Sequence, residues 1–405
     1  MKKTWIMLSV MVILMAWQSH MVDAQENGCQ DAQEMYSEGV ALSDGSEEEA
    51  NFYRKAIAAC PDYADAHFRL ASMLTDWGQY AEAMTEFQAA LRVNGNYPEA
   101  YYGLGELAYN QAQYADAMQY YQQAIHLRGD YMQPHIGLGR VYSQQGQYSL
   151  AVNEFFKVLE RDPQNIEVNY ELAVAYEKEG NLKQATESFL TVKKLAPERD
   201  DVMVRLGSLY RQQKQYDNAI QEFNAALAIN PANLNAKRQL GIVSFDQKKY
   251  DEAIKTFEEM MRMQTGDVEL YEYLGKSYLA KKDYNKAIEQ FREVLQYTPN
   301  NVDTHFLLGT IYLESGAYDA AAQSFATTIQ LNPSHAAAML QLAFVYEKQK
   351  DYINAIAICQ QALNTQPEIP DGHRTLGRLY VKLGKQELET ANAKQEAAAL
   401  EKLGY

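Results

Sequence analysis

The chain has 405 residues, of which 37 are Lys or Arg and 53 are Asp or Glu, so its formal net charge at pH 7 is −16. Such an acidic balance argues against nucleic acid or an anionic lipid surface as the main partner. Apolar residues make up 47% of the chain, which is enough to build a core. The length fits about two or three ordinary domains, or one elongated array.

The N-terminus has the pattern of an export signal. Lys2 and Lys3 precede an apolar run from Trp5 to Trp17, and a polar segment then ends at Ala24. This order is typical of a secretory signal peptide, so we predict that residues 1–24 are removed and that no integral membrane span remains. An uncleaved signal anchor is the alternative, although the apolar run is short for a bilayer span of about 20 residues.

A lipid anchor would use Cys29, but Glu26–Gly28 lacks the apolar residue expected three positions before a lipidated cysteine. The form of the signal favours a bacterial envelope, with the periplasm as the predicted location. Disulfides can persist in an exported protein.

One unit recurs every 34 residues without insertion or deletion. Its leucine position is occupied by Leu70, Leu104, Leu138, Leu172, Leu206, Leu240, Leu274, Leu308, Leu342 and Leu376. The next residue is always Gly or Ala, as at Gly309, and the second half carries an aromatic and an alanine, as at Tyr318 and Ala321. A proline usually ends the unit, as at Pro333.

These spacings predict two amphipathic helices in each unit, joined by a short turn. The small residue after leucine and the recurrent alanine allow the two helices to approach closely, while Leu and the aromatics fill the remaining volume. A single hairpin leaves an apolar face exposed, so each unit needs a neighbour like itself.

This pattern closely resembles the tetratricopeptide repeat (TPR) family over about residues 30–384. The resemblance implies an all-α, right-handed superhelical solenoid of antiparallel helix pairs, with the first helix of each pair lining a concave face. We interpret residues 25–63 as a degenerate first repeat that caps the N-terminus. Residues 64–369 form nine repeats, and residues 370–405 form a terminal helix pair that caps the C-terminus.

The cysteines allow a further prediction. In an antiparallel pair, the start of the first helix and the end of the second lie together, and Cys29 and Cys60 hold those two places in the first unit. We predict a disulfide that closes this hairpin, with two unpaired thiols as the alternative. Cys359 replaces an aromatic of the repeat, so we predict a buried thiol.

Sequence motifs for catalysis are missing. The phosphate-binding G-x-x-x-x-G-K-[ST] loop, H-E-x-x-H and G-x-S-x-G do not occur. His67, His135, His305 and His373 share one repeat position, but equivalent places in distant units lie too far apart to bind one metal, so we predict packing roles. We therefore expect no cofactor, no metal site and no enzymatic activity.

Family geometry places the fifth, ninth and twelfth residues of each unit on the concave face. We select from these positions the candidate partner-binding residues Phe68, Tyr102, Tyr109, Ile136, Arg140, Tyr170, Arg211, Arg238, Phe245, Lys276, Phe306, Phe344, Arg374 and Arg378. Aromatic and Arg residues are frequent anchors of interfaces. The alternative is that some of these side chains pack against adjacent helices instead of a ligand. Arg374 and Arg378, one turn apart, would hold an acidic group or form a solvated basic patch.

The predicted function is a non-enzymatic scaffold of the cell envelope that binds other proteins in its groove. An alternative is a glycan-associated module of an envelope polysaccharide export or assembly system, in which Tyr102, Tyr109 and Tyr170 stack on sugar rings.

Overall fold

All regular structure in the described part of the chain is helical. The computed structural model describes residues 29–263, 267–369 and 371–402, with side chains described up to residue 387. The predicted signal peptide, residues 1–24, lies outside these ranges, as do residues 25–28, 264–266, 370 and 403–405.

The described helices follow one another in regular pairs. The first, α1, covers residues 29–42. It is followed by α2 (Glu47–Ala59), α3 (Ala64–Asp76), α4 (Tyr80–Val93), α5 (Pro98–Asn110), α6 (Tyr114–Leu127), α7 (Met132–Gln144), α8 (Tyr148–Leu159), α9 (Ile166–Glu179), α10 (Leu182–Leu195), α11 (Asp200–Gln212), α12 (Tyr216–Ile229), α13 (Leu234–Asp246), α14 (Tyr250–Met263), α15 (Val268–Ala280), α16 (Tyr284–Tyr297), α17 (Val302–Glu314), α18 (Tyr318–Leu331), α19 (Ala336–Lys348), α20 (Tyr352–Thr365) and α21 (Gly372–Lys402).

The turn inside each pair ends the first helix with a residue in a left-handed backbone conformation. Gly316 has φ +80° at this place between α17 and α18. Lys282, one repeat earlier, adopts φ +61° at the same place. A left-handed residue after the helix satisfies its last carbonyl groups and reverses the chain, which is why the pair is antiparallel.

The small residue after the repeat leucine is required by an aromatic ring of the second helix. A Cβ added at Gly105 would lie 2.5 Å from Cε1 of Tyr121, and one added at Gly309 would lie 2.7 Å from Cδ1 of Phe325. Both rings are fully buried. Cys359 stands at the same place in α20 and is a buried free thiol, which confirms the sequence prediction.

The chain falls into two compact units, unit 1 up to Val202 and unit 2 from Met203 onward, with the boundary inside α11. Within each unit, consecutive antiparallel helix pairs pack on one another, so each unit is an all-α solenoid as predicted. None of the helices in the described ranges has the combination of length and apolar content that crossing a bilayer requires.

The N-terminal hairpin is closed covalently. Cys29 and Cys60, the pair predicted to form a disulfide, are joined by one, with their Cα atoms 4.8 Å apart. The polar turn between α1 and α2 also caps α2, because Ser46 Oγ accepts from the Glu49 amide at 3.1 Å and the Glu49 carboxylate accepts from the Gly45 amide at 2.9 Å. This exchange is a variant of the capping box.

The C-terminal end differs from the predicted terminal helix pair. A single helix, α21, runs through Gly384 to Lys402. Beyond Gly384 the sequence is rich in Ala, Glu, Gln and Lys, which are strong helix formers. Gln386 and Glu389 stand where a second helix would have its packing aromatic and alanine, so the sequence provides no contact that would fold the chain back.

Candidate functional site

The first helices of successive pairs present a common surface in each unit. We define the groove face of unit 1 as the second, fifth, sixth, ninth and twelfth residues of α3, α5, α7 and α9. The groove face of unit 2 is the same set of positions in α13, α15, α17 and α19. These positions share one side of a helix with 3.6 residues per turn.

Aromatic residues at the fifth position are wedged between neighbouring pairs. The Phe68 ring lies 5.9 Å from that of Phe87 in the second helix of its own pair and 5.1 Å from that of Tyr97, just before the next pair. Phe306 repeats the arrangement with Phe325 at 5.7 Å and His335 at 4.9 Å. These rings are half-buried joints between repeats, so only part of each is open to a partner.

The same holds for the tyrosines considered for sugar stacking. Tyr102 contacts Tyr121 and Tyr131, with ring centroids 5.9 Å and 5.6 Å away. Tyr109 lies 5.8 Å from Tyr114. Tyr170 packs on Phe189, with ring centroids 5.7 Å apart, and lies under the Arg199 guanidinium at 4.3 Å. Each ring is therefore already in contact with another ring or a cation of the chain.

Arg140 is the centre of a polar cluster on the groove face of unit 1. Its Nη2 donates to Glu167, and its Nε lies 3.7 Å from Glu171 Oε1. Glu106 accepts from the Tyr121 hydroxyl at 2.6 Å. Burial opposes the charge on Arg140, but Glu167, Glu171 and Glu106 outweigh it and raise the pKa of the guanidinium. The cluster joins α5, α7 and α9.

A second cluster on the groove face of unit 2 brings several predicted residues together around Tyr273. Its ring lies 5.6 Å from that of Phe245, and Lys276 Nζ lies 5.4 Å from its centroid. Burial raises the pKa of Tyr273, and the charge of Arg211 and its hydrogen bond to the hydroxyl oppose this only in part. Tyr273 was missed from sequence because it holds the sixth position, which the family geometry used for selection did not include.

The arginines of unit 2 pair with carboxylates of the following first helix. Arg211 Nη1 donates to Asp246 Oδ2 at 3.1 Å. Arg238 donates to Asp267 and to Glu269, both at 2.9 Å. Both guanidinium groups therefore join adjacent repeats, and Arg238 also belongs to the groove face of unit 2. For Arg238, the sequence signal was the acid Glu269 at the second position of the next first helix.

Arg374 and Arg378 do not form a shared anion site. Arg378 donates to Glu347 at 2.9 Å, and Lys382 donates to the other Glu347 oxygen at 2.7 Å. Arg374, which is exposed, pairs with Asp371 at 2.9 Å. The remaining candidates are Ile136, which is half-buried on α7, and Phe344, whose ring lies 4.9 Å from the ammonium of Lys348.

Three of the four repeat histidines have the packing role predicted for them. His67 contacts Glu86 through Nδ1 at 2.5 Å and the Pro61 carbonyl through Nε2 at 2.9 Å. His135 contacts Glu154 at 2.6 Å and His305 contacts the Pro299 carbonyl at 2.9 Å, while His373 is exposed. Over the residues whose side chains are described, no group of three His, Cys, Asp or Glu side chains is arranged to hold a metal ion.

Comparison with known families agrees with this architecture. Models described as tetratricopeptide repeat or TPR repeat match residues 52–85, 71–112, 98–131, 139–180, 182–234 and 210–275. A model described as the C-terminal ARM domain of tetratricopeptide repeat protein 21 matches residues 274–374. No curated protein matches the chain significantly.

Two solved structures share the fold. A tetratricopeptide repeat protein from Parabacteroides merdae is 20% identical, with a TM-score of 0.51 over 61% of this chain and 98% of its own. The C-terminal part of a TPR repeat-containing protein from Cytophaga hutchinsonii is 19% identical, with a TM-score of 0.50 over 59% of this chain and 98% of its own. These structures show the fold, and the family models, which together match more than half of the chain, show that it belongs to the tetratricopeptide repeat family.

Proposed function

We propose that this protein is a non-enzymatic scaffold of the cell envelope and that its groove faces bind segments of other proteins. The observation that carries the proposal is the cluster around Arg140, where half-buried tyrosines and charged side chains from α5, α7 and α9 meet on one surface. Aromatic and Arg side chains are enriched at protein interfaces, and they provide both apolar area and directed hydrogen bonds.

The shape of the partner follows from the repeats. Successive first helices present equivalent positions at regular intervals, so an extended segment or a single helix that crosses them contacts several repeats at once. Because the fifth-position rings are already held by neighbouring helices, the groove face is preorganised and a partner orders few side chains of the scaffold on binding.

The envelope location is part of the proposal. It is supported by the basic and apolar order of residues 2–17 and by the Cys29–Cys60 disulfide, since disulfides persist in oxidising compartments. Fractionation of cells that produce the full chain, followed by N-terminal sequencing, tests it. A cytosolic chain that retains residue 1 would contradict this part of the proposal.

Affinity capture tests the scaffold function. The chain from Gln25 to Tyr405 is immobilised and exposed to a native envelope extract, and captured proteins are crosslinked and identified. The double substitution Tyr109→Ala with Arg140→Gln removes the centre of the unit 1 face. Gln123→Ala, an exposed position on α6, is the matched control. We expect specific partners to be lost from the double variant and kept by the control. Equal capture by both would argue against groove binding in unit 1.

A further inference from the structure

The groove face of unit 1 carries an excess of negative charge. Its acidic members are Asp65, Glu99, Glu106, Glu167, Glu171 and Glu177, and its basic members are Arg69 and Arg140. Arg128 reaches the same region from the α6–α7 connection, where it pairs with Glu99 at 2.6 Å. Six carboxylates thus face three guanidinium groups, and Arg140 is already shared by several of the acids.

The chain itself shows how this surface accommodates cations. The Arg128 guanidinium lies 4.0 Å over the Tyr131 ring while it donates to Glu99. The Arg199 guanidinium lies 4.3 Å over Tyr170 while it donates to Asp201. In both places a cation is held between an aromatic face and a carboxylate, a combination that favours Arg and Lys.

Tyr109 has similar surroundings, and no cation is stacked on its ring among the residues whose side chains are described. Its hydroxyl environment includes Glu171 and Arg140, and its pKa is raised mainly by burial. Its ring is half-buried beside Tyr114. The negative charges of the neighbouring Glu106 and Glu171 both raise the pKa of Arg140. A Lys or Arg of an incoming chain would find an aromatic edge and carboxylates from α5 and α9 in this position.

The groove face of unit 2 differs in character. Its α17 and α19 contribute Phe306, Leu313, Leu340 and Phe344. Its carboxylates are Glu269, Glu272, Asp303 and Glu347, and all of these except Asp303 are paired with cations of the chain. It is therefore more apolar and closer to electrical balance than the face of unit 1. This difference provides an internal control.

We propose that the groove face of unit 1 binds a protein segment rich in Lys and Arg, with a cation against the Tyr109 ring and between the carboxylates of α5 and α9. This inference rests on the scaffold function proposed above and adds the chemistry of the partner. An acidic segment is disfavoured because it would meet a surface of its own sign.

Peptide binding to the purified protein provides the test. The probe is a fluorescein-labelled peptide of alternating Lys and Ala, and its counterpart of alternating Glu and Ala is the charge control. Fluorescence anisotropy is measured at low and high salt. We expect the Lys peptide to bind, the Glu peptide not to bind, and the affinity for the Lys peptide to fall as salt increases.

Paired variants locate the site. Glu106→Gln with Glu171→Gln removes two charges from unit 1, and the Gln at 106 keeps an oxygen for the Tyr121 hydroxyl. Glu269→Gln with Glu272→Gln removes two charges from unit 2 and is the matched control for net charge. We expect the unit 1 pair to weaken binding of the Lys peptide about fivefold and the unit 2 pair to change it less than about twofold. Circular dichroism checks that both variants fold.

Equal weakening by the two pairs would show diffuse attraction to an acidic protein and would overturn the proposal, as would preferential binding of the Glu peptide. The affinity capture described above distinguishes failure of the basic partner from failure of the scaffold function. If capture still depends on Tyr109 and Arg140 but the Lys peptide is not bound, the scaffold function stands and the basic partner is wrong. If neither depends on the groove face, both proposals are wrong.

Discussion

Arg378 donates to Glu347 at 2.9 Å across the contact between α21 and α19, and the Glu347 side chain is only 5% exposed. Lys382 holds the other oxygen of the same carboxylate. Two cations of the last helix therefore meet one buried anion of the last complete pair. This contact fixes the register of α21, whose Leu379 packs in the same region.

Replacing this anion is expected to loosen α21. Glu347→Gln leaves two cations that are partly exposed and able to return to water, so we expect a loss of about 1–3 kcal/mol in the free energy of unfolding. Urea unfolding measures the loss, and limited proteolysis reports release of α21. Glu289→Gln, an exposed position on α16, is the control. An unchanged unfolding midpoint for Glu347→Gln would contradict the role assigned to this contact.

The same carboxylate predicts a dependence on low pH. Burial raises the Glu347 pKa, but Lys382 and Arg378 outweigh it and the net pKa is lowered. A lowered folded pKa stabilises the protein above the unfolded value of about 4.3, and this contribution is lost as pH falls through the folded value. We expect the stability difference between wild type and Glu347→Gln to shrink below about pH 4. A constant difference would contradict this.

His67 predicts the opposite dependence. Its pKa is raised mainly by the hydrogen bond to Glu86, with burial acting against it and the Pro61 carbonyl in favour. The stabilisation is therefore full below the unfolded pKa of about 6.5 and is lost as pH rises through the raised folded value. His67→Asn is the suitable variant, because Asn169 donates to the Pro163 carbonyl at 3.1 Å from the equivalent position.

We expect wild type to lose stability relative to His67→Asn as pH rises above the raised pKa of His67. Urea unfolding at several pH values measures this difference, and NMR titration of the imidazole measures the pKa. His126→Asn, at an exposed site on α6, is the control. If the stability difference does not change with pH, the Glu86 contact does not hold the charged imidazole.

Two glycines provide a matched packing test. A Cβ at Gly105 would lie 2.5 Å from the buried Tyr121 ring, whereas a Cβ at Gly377 would meet nothing within 4 Å. We expect Gly105→Ala to destabilise the protein by about 1–3 kcal/mol through overpacking. Gly377→Ala, in contrast, is expected to stabilise it by up to about 1 kcal/mol, because alanine favours helix. Thermal unfolding compares the two, and equal effects would refute the packing argument.

The disulfide is expected to stabilise the N-terminal hairpin. Closing a loop of this length contributes about 3–4 kcal/mol in the chain-entropy estimate. Cys29→Ser with Cys60→Ser should therefore increase amide hydrogen exchange in α1 and α2, while Cys359→Ala should leave the response to reductant unchanged. Mass spectrometry of unreduced wild type gives the direct check, since both thiols free would exclude the bond.

The repeat and its core were determined by the sequence alone. Leu308, Gly309 and Ala321 recur at a fixed offset, and the same residues meet in every repeat, so one local packing solution applies along the chain. The cysteine prediction succeeded for the same reason, because Cys29 and Cys60 occupy the two ends that any antiparallel pair brings together. A continuous α21 was not predicted, because the repeat pattern stops after Gly384. Beyond that residue, local helix propensity determines the structure of the chain.

Only the tertiary structure decided which variable side chains meet on the groove faces. The partners of Arg140 come from two other helices. Tyr273 interacts with Phe245 and Arg211, although its position, the sixth, was not among those selected from the sequence. A periodic sequence specifies contacts between positions that recur. Contacts between residues that do not recur depend on the stacking of neighbouring pairs, and these contacts give each groove face its charge and its apolar character.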